Sequence, residues 1–202
     1  MVDHILIGAP DLQTGIDYIF QKTKLHAPLG GLHPLWNTQN ALLSLGSDSY
    51  LEIIAPQPGL TPKKPFKILS ELNHPQLITW AARTTDIFAI DHQMSSLQLA
   101  HSGVLPGSRL KANGTLLQWK ILFPENNYSG VFPFFIEWDK GNQHPAQALE
   151  PGLILNKLLL YHDQAKFINE CFNALQLEIS CQYEEAPKLI MELDTPSGKM
   201  VL

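Results

Sequence analysis

The chain has 202 residues, 45% of them hydrophobic and 16% charged, with a formal net charge of -5. That length buries a sizeable core as one large domain or two small ones, and the composition is that of an ordinary globular protein. Lys63-Lys64 is the only adjacent basic pair, which excludes a nucleic-acid footprint, and no apolar run reaches the roughly 18 residues that span a membrane.

The opening Met-Val-Asp-His has neither a basic n-region nor an apolar h-region, so no secretory leader is expected and a cytoplasmic location is. Cys171 and Cys181 have no metal-ligand spacing and make a poor disulfide framework; they are expected as one buried and one half-buried thiol of a reducing compartment.

Ile5 to Ile7, bounded by Gly8 and Pro10, suits a buried strand. Asp11 is placed to cap a helix whose apolar stripe is Leu12, Ile16, Ile19 and Phe20, ending near Lys24. After Pro28 and the pair Gly30-Gly31 come an irregular strand around His33 to Thr38, a strand over Asn40 to Leu45, and another over Tyr50 to Ala55. Gly46-Ser47-Asp48-Ser49 is the hairpin turn between the last two. Residues 56–75 hold five prolines and form a connector, with a short helix opened by Pro65.

The same order then returns. Leu77 to Arg83 is a strand, and Asp86 opens a helix with Ile87, Ile90, Met94 and Leu97 on one face. Gly103 to Gly114 is an irregular strand and turn, followed by strands over Thr115 to Phe123 and Phe132 to Trp138. A third start runs from Leu153 to Tyr161, with Asp163 opening a helix that carries Ile168, Cys171, Phe172 and Leu175, and a hairpin turning at Thr195-Pro196-Ser197-Gly198. The three helix-opening aspartates stand 75 and 77 residues apart. Seven positions before them lie His4, Thr79 and Asn156. Element order and spacing therefore repeat, although identity between the units is weak.

Alternation along the strands separates two faces. Ile5, Ile7, Ala41, Leu43, Leu45, Leu51, Ile53 and Ala55 form a packing face in the first unit. In the second unit the same rule selects Ile78, Trp80, Ala82, Leu117, Trp119, Ile121, Phe123, Phe134, Ile136 and Trp138. The opposite face then collects His4, Asn40, Glu52, Thr79, Arg83, Gln118, Lys120 and Glu137. Either it is a solvated sheet face, the default for a half-exposed antiparallel sheet, or it lines the cavity of a partly closed barrel. A carboxylate between Leu51 and Ile53, and another between Ile136 and Trp138, favours the cavity. A charge inside so apolar a strand has to be paired, hydrogen-bonded or metal-bound.

The repeated strand-helix-three-strand unit, with Asp3-His4-Ile5 at its start and Leu51-Glu52-Ile53 at its end, resembles the vicinal oxygen chelate superfamily. Gly30-Gly31-Leu32-His33-Pro34, Thr38-Gln39-Asn40-Ala41-Leu42, Tyr50-Leu51-Glu52-Ile53-Ile54-Ala55 and Pro133-Phe134-Phe135-Ile136-Glu137-Trp138 resemble its glyoxalase-like domain family over roughly residues 1–160. The resemblance implies an α+β fold. Tandem βαβββ units would form a curved, half-barrel mixed sheet with helices outside, plus a C-terminal βαββ half-unit. As one domain over 1–202, it divides into unit one (1–56), a connector (57–76), unit two (77–145) and the half-unit (153–202).

In that superfamily, first- and last-strand positions of each unit converge on a divalent metal. Carried over, they are His4, Glu52, Thr79 and Glu137, of which Thr79 offers only a weak neutral hydroxyl. His4, Glu52 and Glu137 are a candidate hard site for Zn, Ni, Fe or Mn; the alternative is a metal-free cavity. Glu137 and His33 are the candidate catalytic groups, His33 as a general base or as a brace of the Gly-Gly/Pro turn. Asn40, Thr79, Arg83 and Gln118 are candidate substrate contacts, and His144 either closes over the cavity or braces its loop.

No phosphate loop, nucleophile elbow, zinc-helix motif or organic-cofactor signature is evident. Two functions follow, the first on a small oxygen-rich metabolite and the second on a small molecule of unspecified chemistry. One is metal-dependent lyase, isomerase or oxygenase chemistry. The other is metal-free sequestration. The segment after Gly152 is a candidate homodimer surface.

Overall fold

The structure is a computed structural model that describes residues 1–110, 116–141 and 143–202. Unit one is β1 (Val2–Gly8), α1 (Leu12–Thr23), β2 (Leu29–His33), β3 (Thr38–Ser44) and β4 (Tyr50–Pro56). Asp11 caps α1 by accepting from the Thr14 amide at 2.9 Å, and Lys24 closes it in the left-handed region at φ 61°. Unit two is β5 (Gln76–Arg83), α2 (Ile87–Ser96), β6 (Leu105–Leu110), β7 (Leu116–Leu122) and β8 (Phe134–Trp138). Asp86 caps α2 on the Ala89 amide at 3.0 Å. Residues 111–115 of the expected Gly103 to Phe123 stretch lie outside the described residues. The connector holds a short 3-10 helix, Phe66–Ser70, where Pro65 was expected to open one.

These strands make one eight-stranded mixed sheet in the order β2-β3-β4-β1-β5-β8-β7-β6. The two units meet where β1 runs antiparallel to β5, and each first strand runs parallel to its own last strand, β1 to β4 and β5 to β8. The sheet curls until its edge strands approach, which explains the glycine pair. A Cβ on Gly30 would stand 2.2 Å from Asn40 Oδ1 and 2.7 Å from Arg109 Nη1, and one on Gly31 2.7 Å from Arg109 Cδ. Only bare backbone lets Arg109 of β6 lie across β2.

Curling gives the sheet two dry faces. On the convex face Ile5, Ile7, Leu51 and Ile53 pack with Ile19 of α1, while Trp80, Leu122 and Phe135 pack with Ile87 and Met94 of α2. On the concave face Leu6, Ile54, Ala81, Leu117, Trp119, Phe134 and Ile136 form a second cluster, closed at one end by Trp36, Phe66 and Phe123. Unit one thus has its faces as expected, but β7 and β8 are inverted. Trp119, Ile121, Phe134 and Ile136 line the concavity, and Gln118, Lys120 and Glu137 lie outside. Alternation separates two faces without saying which one meets the helices.

The C-terminal segment has one strand more than the expected βαββ. It comprises β9 (Ile154–His162), α3 (Ala165–Ala174), β10 (Cys181–Tyr183), β11 (Lys188–Thr195) and β12 (Gly198–Val201), in a separate sheet ordered β10-β9-β11-β12. Phe172 of α3 meets the edge of Trp80 at 6.3 Å, so this layer covers the convex face near β5. Gln164 stands at the cap of α3 and its amide donates to His162 Nδ1 at 3.0 Å, with Asp163 Oδ1 2.7 Å from the same nitrogen. Both cysteines are free and buried, and burial pushes the Cys181 thiol up to about 11. No helix among the described residues is long and apolar enough to cross a membrane.

Candidate functional site

The site starts at a bulge. β1 pairs Val2 with Ala82 and His4 with Ala81, so Asp3 is the extra residue and its side chain turns inward. Asp3 is fully buried and accepts four hydrogen bonds. His4 Nδ1 donates to Oδ1 at 2.6 Å. Arg83 Nε at 2.6 Å, Trp138 Nε1 at 3.0 Å and His144 Nε2 at 3.2 Å share Oδ2. His144 Nδ1 accepts from the Ala146 amide at 3.3 Å, which leaves its proton on Nε2. Burial by itself would raise the Asp3 pKa. The bonds from His144 and His4 outweigh it and hold the carboxyl well below the usual carboxylate range.

An anionic Asp3 fixes the neighbouring imidazole. With Nδ1 tied to Asp3, Nε2 of His4 faces Glu52 Oε2 at 3.3 Å. The ring is stacked on Tyr50 at 4.6 Å and edged by Phe134 at 5.4 Å. Glu52 is held in turn by Asn40 Nδ2, which donates to Oε1 at 2.7 Å. Asn40 Oδ1 accepts from Arg109 Nη1 at 3.2 Å. The result is a line from Asp3 through His4, Glu52 and Asn40 to Arg109, crossing β1, β4, β3 and β6.

His33 stands beside this line, its Nδ1 3.1 Å from Thr38 Oγ1 and its Nε2 3.5 Å from Asn40 Nδ2. Burial lowers its pKa to about 4, with Arg109 and His4 adding to the effect against the opposing charge of Glu52. It is a neutral imidazole near pH 7. Burial, with Asp3 and Glu52 nearby, pushes the Tyr50 phenol well above its ordinary value, so it keeps its proton.

These groups line a cavity of about 40 Å³ whose remaining wall is apolar and aromatic, including Leu6, Trp36, Trp119 and Phe134. Beyond Phe66 and Phe134, which border both spaces, lies a larger groove of about 740 Å³ lined by Ile78, Thr79, Leu105 and Asn127 among others. The smaller cavity holds the titratable groups His4, His33 and Glu52, and the groove is the larger space.

Of the residues singled out from the sequence, the structure brings His4, His33, Asn40 and Glu52 together. The others lie elsewhere. Thr79 is buried opposite Leu6 and walls the groove. Arg83 reaches Asp3 and the Asp48 carbonyl and does not line the cavity. Gln118 is exposed on the convex side. Glu137 caps α2 by accepting from the Ile87 amide at 2.7 Å and pairs with Lys120 at 3.1 Å, across the sheet from Glu52. Glu137 is paired, as a charge in so apolar a strand has to be, but its partners are a helix terminus and a lysine. Asp3, Tyr50, Arg109 and Trp119 are site residues that sequence reasoning missed. For Arg109 the glycine pair was the available signal, since bare backbone in a strand marks a close approach.

The register also tests the metal arrangement. Glu52 pairs with Leu6, two residues after His4; the matching position, two after Thr79, is Ala81, and its partner is Phe134. The second half of a two-unit ligand set is therefore Thr79 and Phe134, a hydroxyl turned toward the groove and a phenyl ring. Of that four-residue set, only His4 Nε2 and Glu52 Oε2 present good donors on the concave side. No group of three or more His, Cys, Asp or Glu side chains among the described residues is arranged to hold a metal ion. The residues present do not fit a divalent metal, and no step is derived through one.

The sequence model of the glyoxalase-like domain matches residues 2–175. The solved structure of a hypothetical protein from Staphylococcus aureus superposes with a TM-score of 0.68 at 16% identity, covering 99% of this chain and 83% of that one. Methylmalonyl-CoA epimerase from Mycobacterium tuberculosis gives 0.47 at 14% identity, over 70% of this chain and 88% of that chain. A Streptomyces coelicolor methylmalonyl-CoA epimerase variant in complex with 2-nitronate-propionyl-CoA gives 0.48 at 15% identity, over 70% and 96%. At 16% identity the Staphylococcus aureus likeness is one of fold. No curated protein matches significantly.

Proposed function

The chain belongs to the glyoxalase-like domain family, and from that premise we propose that its concave cavity binds a small oxygen-rich metabolite and moves a proton on it. The reaction is of the isomerase or lyase type, with His4 and Glu52 as the acid-base pair. The observation that carries this reading is an imidazole held between two carboxylates, at 2.6 Å from Asp3 and 3.3 Å from Glu52, inside an apolar wall.

Each residue has a task in this reading. Glu52, oriented by Asn40, takes the proton from a carbon beside a carbonyl. His4 Nε2 accepts it from Glu52, and the imidazolium that forms is stabilised by the Asp3 anion at Nδ1. Return of the proton to the opposite face of the same carbon completes an epimerisation, and its return to the neighbouring carbon an isomerisation; loss of a β-leaving group completes an elimination. His33, neutral near pH 7 and made a weaker base by its burial, braces Asn40 and Thr38. The aromatic wall excludes water, so the pair acts in a medium of low dielectric where charge placement counts most.

The test is deuterium wash-in from D2O at the carbon beside the carbonyl of small oxo and hydroxy acids, by protein treated with chelator, followed by proton NMR. Wild type is expected to exchange a substrate that Glu52→Gln and His4→Gln leave untouched. Sequestration without chemistry is a second reading, favoured by the wall of Trp36, Phe66, Trp119 and Phe134. It predicts saturable binding with no exchange by any variant.

A further inference from the structure

We infer that the cavity carries a built anion site, in which Arg109 Nε and Trp119 Nε1 donate to a carboxylate or similar planar oxyanion of the ligand. This names the ligand class for the cavity of the proposed function and rests on that cavity being the ligand site, but not on its proton transfer.

Two buried side-chain donors among the described residues have no hydrogen-bond partner, Arg109 Nε and Trp119 Nε1. Both side chains are more than nine-tenths buried, at 8% and 6% exposure, and both line the small cavity. Native proteins rarely leave such groups unpaired, because a buried N–H without an acceptor forfeits its bond to water. Two of them in one cavity ask for an acceptor that the chain does not supply.

Their backbone places them side by side. On β6 and β7, Gly107 pairs with Trp119 and Arg109 with Leu117, so the two side chains stand at diagonal positions on the concave face. The indole nitrogen lies directly over Gly107, where a Cβ would come within 2.2 Å of it. The Arg109 stem is fixed across Gly31, and its Nη1 is held by Asn40 Oδ1. Arg109 makes no ion pair with a carboxylate among the described residues; Asn40 stands between it and Glu52. A guanidinium so buried and so oriented favours an anion over a neutral oxygen.

The experiment titrates the full chain with acetate, and with acetamide as its neutral counterpart. It follows the indole N–H of Trp119 by 15N NMR, assigned by its loss in Trp119→Phe. Acetate is expected to move that resonance and raise the melting temperature, and acetamide to do neither. Trp119→Phe, which removes a donor that is unpaired in the free protein, is expected to be as stable as wild type or more so, yet to bind acetate about tenfold more weakly. Arg109→Lys is expected to weaken acetate further while folding normally. Equal responses to acetate and acetamide, or unchanged acetate affinity in Trp119→Phe, would overturn the inference. Glu52→Gln separates the two readings: acetate binding retained with exchange retained sinks the proton-transfer role alone, while wild-type exchange without acetate binding sinks the anion site alone.

Discussion

Acidification should destabilise the protein through His33. Burial lowers its pKa from 6.5 to about 4, so between those values the unfolded chain binds a proton that the folded one refuses. Stability from this group is present in full above about pH 6.5 and is lost as the pH falls through about 4. A shift of that size, at 1.36 kcal/mol per pH unit, corresponds to about 3 kcal/mol in total and about 2 kcal/mol by pH 5. Urea unfolding of wild type and His33→Gln at pH 7, 6 and 5 isolates the contribution. Glutamine preserves a polar group for Thr38 and Asn40 but does not titrate, so the gap between the two proteins should close or reverse as the pH falls. Parallel stability curves for the two proteins from pH 7 to 5 would refute the reasoning.

Asp3→Asn should lose about 3–5 kcal/mol in urea unfolding at pH 7, because it leaves a buried imidazole and guanidinium facing an amide; a loss below about 1 kcal/mol would show that the hub does not organise the site. Since Asp3 is anionic in the fold, its contribution is present above the ordinary carboxylate value of 3.8 and lost below it, so the acid limb of Asp3→Asn should be shallower than that of wild type. Glu137→Ala should cost about 1 kcal/mol through the lost cap on α2 and leave ligand binding and proton exchange unchanged; a loss of either would return Glu137 to the site.

Much of the frame is legible in the sequence because its signals are local. Asp11 and Asp86 announce their helices by position, and Gly46 to Ser49 announces its hairpin by composition. Glu52 is legible for a different reason, since a charge flanked by Leu51 and Ile53 has to find partners. The limit of that argument is Glu137, which obeys the same rule with the Ile87 amide and Lys120 on the other side of the sheet. Alternation could not distinguish the sides of β7 and β8, because the concave face of a curled sheet is as apolar as the face beneath the helices. Asp3 was hidden by a bulge that turns it inward out of phase. β10 spans three residues, too few to show a period. Arg109 acts through Gly30, Gly31 and Asn40, which are distant in the chain and meet it only because the sheet closes.

Hydrogen exchange before and after adding metal reads whether His4 and Glu52 move a proton without one. Chelator-treated protein is incubated in D2O with small oxo and hydroxy acids, and the carbon-bound proton next to the carbonyl is followed by NMR, before and after stoichiometric zinc, nickel or manganese. Metal-free proton transfer by this pair predicts exchange by the metal-free wild type, no gain on adding metal, and no exchange by Glu52→Gln. Exchange that appears only with metal, or that persists in Glu52→Gln, or that wild type fails to catalyse on any of these acids, would contradict it.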